Sequence, residues 1–205
     1  MRLFMKIIGV TGGVGAGKSA LLTRVMEICN CKVIFSDNVA NDVKKKGMPA
    51  YDALVDLLGD GILEVNADGC YSEIDKKKMA AAIFKDDTLL QKVNDILHPA
   101  TNKYIADIID KEKTLGDIDY LFIEAALLIE NGYKDIVDEM WYIFASEEVR
   151  RQRLKKARGY SDEKIDGILK AQLSEEVFRQ NCDFVVDNSN DLDHAIGQIR
   201  KHLEV

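Results

Sequence analysis

Short apolar runs alternate along this chain with longer stretches in which apolar residues recur at helical spacing. Lys6 to Thr11 is apolar and β-prone, and Ala20 to Ile28 follows with helical spacing. Lys32 to Ser36 predicts a second short strand. Asp37 and Asn38 then open a helical stretch to about Lys46, which Gly47-Met48-Pro49 breaks before another helix from Ala50 to Leu58. Gly59 to Ser72 reads as a loop or small hairpin around the turn signal Asn66-Ala67-Asp68-Gly69. From Glu73 to Lys113 the pattern is helical throughout. Asp75 is placed to cap one helix, Asp86 or Asp87 the next, and His98-Pro99 predicts a break between two more. Tyr120 to Glu124 and Met140 to Phe144 are nearly all apolar, as parallel strands covered on both faces are. Helices at about 146–157, 161–172 and 174–181 lead to a strand from Asp183 to Asp187. An amphipathic helix from Asp191 to Leu203 closes the chain.

Strands alternating with helices predict an α/β fold around a five-stranded parallel sheet. The block 38–113 has no strong strand and separates two strands of that sheet, so it reads as a mostly helical insertion. Residues 1–37 and 114–205 then form the core of a single domain, which 205 residues accommodate. Two prolines, no low-complexity tract and no internal repeat leave no sign of a linker.

The net charge of −7 argues against a general nucleic-acid or anionic-membrane binder, which needs a basic footprint. It leaves room for a local basic pocket. Cys29 and Cys31 are too close for an ordinary disulfide, and no Cys/His cluster has zinc spacing, so Cys29, Cys31, Cys70 and Cys182 are expected to be free thiols. The first residues lack the apolar stretch of a signal peptide, and no segment approaches the ~20 apolar residues of a membrane span. The expectation is a cytoplasmic protein, monomeric or weakly homo-oligomeric, with a small-molecule substrate.

Between the first strand and first helix stands Gly12-Gly13-Val14-Gly15-Ala16-Gly17-Lys18-Ser19, which fits G-x-x-x-x-G-K-[ST], the phosphate-binding loop. Glycines let consecutive N–H groups converge on phosphate oxygens, and the positive end of the helix adds attraction. Gly13 to Ala20 are therefore the candidate nucleotide-binding residues: Gly13, Val14, Gly15, Ala16, Gly17, Lys18, Ser19 and Ala20. In this motif Lys18 reaches the β- and γ-phosphates and the Ser19 hydroxyl ligates Mg²⁺.

Other candidates follow from position. Asp37, just past strand two, is placed to take the proton of an acceptor hydroxyl, or else, like Ser36, to cap the next helix. Glu124 ends strand three as a candidate Mg²⁺ ligand or a plain polar terminus. Glu130 and Gly132 follow closely, within reach of an acceptor. Arg150, Arg151, Arg153, Lys155, Lys156 and Arg158 crowd one segment, 146–160, a candidate lid from which Arg153 or Arg158 neutralises transferring phosphate. Lys44-Lys45-Lys46 and Lys76-Lys77-Lys78 read as solvated faces, one of which could steer an anionic substrate. His98 reads as a helix-break residue that could line a substrate cleft.

The chain resembles the dephospho-coenzyme A kinase family over nearly its whole length. The matching pieces are Gly9 to Ser19, Ser36-Asp37-Asn38-Val39-Ala40, Ile96-Leu97-His98-Pro99, Glu124 to Gly132, Ala171-Gln172-Leu173-Ser174 and Asp183 to Asn188. The resemblance implies a three-layer P-loop kinase fold with a helical acceptor subdomain and a lid. It implies ATP and Mg²⁺, dephospho-coenzyme A as acceptor, Asp37 as base and Asn188 near the adenine. This sequence departs from patterns frequent in the family at Phe35, Glu124, Ala126, Asn102 and Ala157-Arg158-Gly159. The nearest alternative is a kinase for another nucleotide or small hydroxyl acceptor. A guanine-nucleotide switch lacks its N-K-x-D motif, since Asn102-Lys103 continues Tyr104-Ile105. A structural protein with a vestigial loop is the third.

Overall fold

The computed structural model describes residues 5–66, 68–84, 86–130 and 132–205, so Ala67 of the turn signal and Asn131 beside Glu130 lie outside the described residues. The strands are β1 (Lys6–Thr11), β2 (Cys31–Phe35), β3 (Leu63–Val65), β4 (Tyr71–Ile74), β5 (Tyr120–Glu124), β6 (Glu139–Phe144) and β7 (Phe184–Asp187). The helices are α1 (Lys18–Val25), α2 (Ser36–Asp42), α3 (Tyr51–Leu58), α4 (Lys76–Ile83), α5 (Asp87–Leu115), α6 (Glu147–Arg158), α7 (Asp162–Lys170), α8 (Glu175–Asn181) and α9 (Leu192–Leu203). The chain divides into two compact units, Met1–Phe35 with Glu112–Val205, and Ser36–Lys111.

In the first unit five parallel strands lie in the order β2-β5-β1-β6-β7. Every residue of β5 is buried, which its unbroken apolar run anticipates for a central parallel strand. On one face Ile8, Val10, Phe122, Trp141 and Val186 form a single cluster with Leu21, Leu22 and Val25 of α1 and Ala195, Ile196 and Ile199 of α9. Trp141, fully buried, meets Phe122 edge-on at 5.4 Å between ring centroids. Strand alternation sends Ile7, Leu121, Ile123 and Tyr142 to the other face, where Tyr142 stacks on Phe178 of α8 at 4.7 Å. Helices on both faces of a parallel sheet make the expected three-layer α/β fold.

In the Ser36–Lys111 unit the expected small hairpin forms as antiparallel β3 and β4. Three local expectations give way. Helix α2 stops at Asp42 rather than Lys46, because Lys45 N–H bonds Asp42 O at 3.0 Å and Met48 N–H bonds Lys45 O at 2.9 Å, a run of turns through Gly47 at φ 82°. Glu73 and Ile74 join the hairpin instead of opening a helix. His98-Pro99 breaks nothing: α5 is one helix with Pro99 inside it. Among the described residues no helix is long and apolar enough to cross a membrane, and all four cysteines are free thiols.

Candidate active site

The phosphate-binding loop leaves β1 at Thr11 and enters α1 at Lys18. Gly17 caps α1 at φ 88°, ψ 21°, a left-handed conformation that costs a side-chain-bearing residue energy. Because the turn is completed there, the helix begins two residues before the expected Ala20, and the N–H groups of its first turn end at the loop. Ser19 and Ala20 stand exposed in that turn. Lys18 folds back across the loop: its Nζ donates to Gly12 O at 2.7 Å and lies 3.6 Å from the Glu124 carboxylate. A backbone concavity at a positive helix end, crossed by an ammonium, is a receptor for an anionic phosphate chain.

Glu124 is held by strand register, with Val10 of β1 on one side and Phe35 of β2 on the other. Only 8% of its surface is exposed, and the chain beyond is tied to the loop strand by Ala125 N–H on Val10 O at 3.3 Å and Thr11 Oγ1 on Ala126 O at 3.4 Å. Among the described residues no group of three or more His, Cys, Asp or Glu is arranged around a metal site. One carboxylate and one hydroxyl beside a phosphate site nevertheless suit Mg²⁺, which keeps waters and substrate oxygens as most of its ligands.

Helix α6 clamps the loop from above its carbonyls. Ser146 caps the helix through Val149 N–H, and Glu147 and Glu148 occupy its positive end. Arg150 and Arg153, three residues apart, share the helix face turned to the loop. Arg150 Nε donates to Val14 O at 2.9 Å, and its Nη2 bonds Gln172 Oε1. Burial lowers the pKa of this guanidinium, which nonetheless stays charged at neutral pH. Arg153 donates to Ala16 O at 3.2 Å and to Asn188 O at 2.9 Å. Buried Asn188 adds a third donor, Nδ2 to Ala16 O at 2.7 Å, while its own N–H holds Phe144 O at 2.8 Å. Three of these donors, Arg150 Nε, Arg153 Nη1 and Asn188 Nδ2, hold the loop carbonyls of Val14 and Ala16, while Ala16 N–H bonds Gly13 O at 3.1 Å within the loop.

The structure separates the two candidate arginines. Arg153 is on the loop, whereas Arg158 is exposed at the far end of α6 with its guanidinium 5.8 Å from the Tyr160 ring. Arg150 and Gln172 are the side chains sequence reasoning did not single out, although the three-residue spacing of Arg150 and Arg153 carried the signal. Glu130 is exposed in the turn after β5, and Gly132, at φ 69°, opens the short helical turn Tyr133–Asp135. Asp37 and His98 belong to the Ser36–Lys111 unit. Asp37 is exposed in the first turn of α2. His98 is exposed on α5, where it lines a cavity of about 420 Å³ with Gln91, Asn94, Asp95 and Pro99.

A parallel sheet in a three-layer fold, with a G-x-x-x-x-G-K-S loop, a lysine drawn over it and a carboxylate at the adjacent strand end, defines the class of P-loop nucleotide-binding proteins. Within that class, a family model described as Dephospho-CoA kinase matches residues 6–194. The chain belongs to that family. It is 34% identical over 200 residues to the Dephospho-CoA kinase of Aquifex aeolicus, covering 98% of this chain and 97% of the other. It is 33% identical over 202 residues to that of Carboxydothermus hydrogenoformans, covering 98% and 95%. The crystal structure of TT1252 from Thermus thermophilus shares the fold with a TM-score of 0.78 at 21% identity, covering 98% of this chain and 97% of the other.

Proposed function

We propose that this chain transfers the γ-phosphoryl group of ATP to the ribose 3′-hydroxyl of dephospho-coenzyme A, giving coenzyme A and ADP. The observation that carries the reading is Lys18, held over the loop between Gly12 O and Glu124, in a chain of the dephospho-CoA kinase family. The loop N–H groups and Lys18 grip the β- and γ-phosphates. Asp37 accepts the proton of the 3′-hydroxyl as its oxygen attacks the γ-phosphorus, and the bond to the β-phosphate oxygen breaks to release ADP. Arg153, with Arg150 beside it, opposes the charge that spreads over the transferred group. Ser19 and Glu124 would hold Mg²⁺, which would supply positive charge to offset that of the phosphates. Asn188 supports the nucleotide end of the loop, and His98, Glu130 and Gly132 belong to the acceptor side. The segment 38–113 serves as the acceptor subdomain and 146–160 as the lid, in a cytoplasmic enzyme.

Release of ADP from Mg-ATP tests this with dephospho-coenzyme A, AMP, shikimate and adenosine offered in turn. Dephospho-coenzyme A should give the highest kcat/KM, and an equal or better acceptor would defeat the assignment. Asp37→Asn should cut turnover at least about 10²-fold, the usual loss for a general base, with the KM for ATP nearly unchanged. Turnover near wild type would remove Asp37 from the mechanism.

A further inference from the structure

The two lysine runs, 44–46 and 76–78, come together in the Ser36–Lys111 unit around one cavity of about 390 Å³. Its wall is made by Asn41, Lys44, Lys45, Glu73, Ile74 and Lys76. That volume exceeds the ~30 Å³ share of one water many times over. The other lysines of the runs are employed in building the wall. Lys46 donates through its N–H to Glu73 Oε2 at 3.0 Å and through Nζ to Tyr71 O at 3.2 Å. Lys78 Nζ donates to Leu63 O at 2.5 Å, and Lys45 pairs with Asp42 at 2.6 Å. Asp75 accepts from the Lys77 and Lys78 N–H groups, which closes the start of α4 and leaves the Lys76 side chain as what that helix offers the cavity.

Lys44 and Lys76 are different. Among the described residues neither is paired with a carboxylate. Lys44 is half-buried, and its pKa is lowered first by that burial and then by the Lys76 ammonium nearby. Glu73, the carboxylate of the wall, accepts from the Lys46 N–H and forms an ion pair with neither lysine, and the wall's three lysines outnumber it. Two cations facing one cavity repel each other and are a cost to the fold, unless an anion is brought between them.

Helix α2 says which anion. Asp37 stands in its first turn, and Asn41, four residues on, lies one turn further along the same face and in the cavity wall. The two positions are about 6 Å apart along the helix axis, at 1.5 Å per residue. In a nucleotide with a free 3′-hydroxyl, the 5′-phosphates lie across the ribose, at a distance of about one helical turn or somewhat more. We propose that this cavity is the phosphate-holding part of the acceptor site. Lys44 and Lys76 grip the 5′-diphosphate of a nucleotide acceptor whose 3′-hydroxyl meets Asp37. The proposal rests on the kinase reading above.

The test measures kinetics for Lys44→Gln, Lys76→Gln and the double variant, with Lys77→Gln as a control outside the cavity wall. Each lysine removed should raise the KM for dephospho-coenzyme A about tenfold, the usual size of one lost charge-assisted contact, and leave the KM for ATP unchanged. Lys44→Arg, which keeps the charge, should recover most of the affinity. Inorganic pyrophosphate should compete with dephospho-coenzyme A in the wild type and lose its binding in the double variant. An unchanged KM in the double variant overturns the proposal while leaving the kinase reading intact. Pyrophosphate that binds alongside dephospho-coenzyme A also overturns it, assigning the cavity to a separate anion. A wild-type chain that does not phosphorylate dephospho-coenzyme A, yet binds pyrophosphate through Lys44 and Lys76, defeats the kinase reading and with it the assignment to this acceptor.

Discussion

Gly13 has no room for a side chain. A Cβ there would sit 2.6 Å from Arg150 Cζ and 2.9 Å from Gln172 Oε1, closer than such atoms approach. The obstacle is the tip of a flexible side chain, but that tip is fastened to Val14 O and Gln172. A methyl at position 13 therefore acts by evicting Arg150 from the loop rather than by blocking phosphate itself. Gly13→Ala should raise the KM for ATP about tenfold, the consequence of losing one charge-assisted contact that orders the loop. Because the two residues touch, their effects should not add. In an Arg150→Ala background, Gly13→Ala should change the KM little further. Full additivity in that double-mutant cycle would show that the glycine is needed for the loop's own conformation and not for the approach of α6.

Helix α5 holds a proline where a break was expected, and the difference has a local cause. Proline's fixed φ is compatible with a helix; what Pro99 removes is an N–H for the Asp95 carbonyl and space beside it. An isolated proline in a helix interior costs about 3 kcal/mol against alanine, partly offset by the stiffer unfolded chain. Pro99→Ala should therefore stabilise the protein by about 1–2 kcal/mol, read as a higher urea midpoint at unchanged slope. A lower midpoint would mean that the packing around Pro99 depends on its shape. The same distinction between local signal and long-range outcome runs through the chain. The apolar runs at β1, β5 and β6 announced the middle of the sheet, because a strand buried on both faces has to be written continuously in the sequence, and shorter β-prone runs marked the edge strands β2 and β7. The strand order was not written there, since it depends on which runs pair. The loop, Lys18 and Glu124 were legible because a spacing and a strand end define them. Arg150 and Gln172 were not, because 22 residues separate them and only the packing of α6 joins them at Gly13. The meeting of Lys44 with Lys76 was hidden for the same reason: each run alone looks like a solvated face.

Long-range order in the nucleotide-binding unit converges on one carboxylate. Glu139 opens β6, and its oxygens meet Lys6 Nζ at 2.5 Å, from the start of β1, and His202 Nε2 at 2.6 Å, from the end of α9. Three distant parts of the chain are tied at the amino-terminal end of the sheet's strands, and the His202 ring also stacks on Phe184 of β7 at 3.8 Å. Burial alone would push the Glu139 pKa up, but the hydrogen bonds and charges of Lys6 and His202 together outweigh it, and the value ends below that of an ordinary glutamate. A carboxyl whose pKa is depressed by folding binds a proton more readily when unfolded. Its stabilisation is present above the unfolded value of about 4.3 and disappears as the pH falls through the lower folded value. Glu139→Gln should lower the stability at pH 7 by about 1 kcal/mol, the small end of the range for a charged hydrogen bond because Lys6 is partly exposed, or a drop in Tm of about 2–4 °C. The gap between wild type and variant should shrink as the pH falls from about 4.3 through the lower folded value, beyond which both carry an uncharged group at position 139. Thermal unfolding of the two proteins across pH 3–7 measures that gap directly. If it stays constant over the whole range, the tie is held by packing of the His202 ring and not by the Glu139 charge.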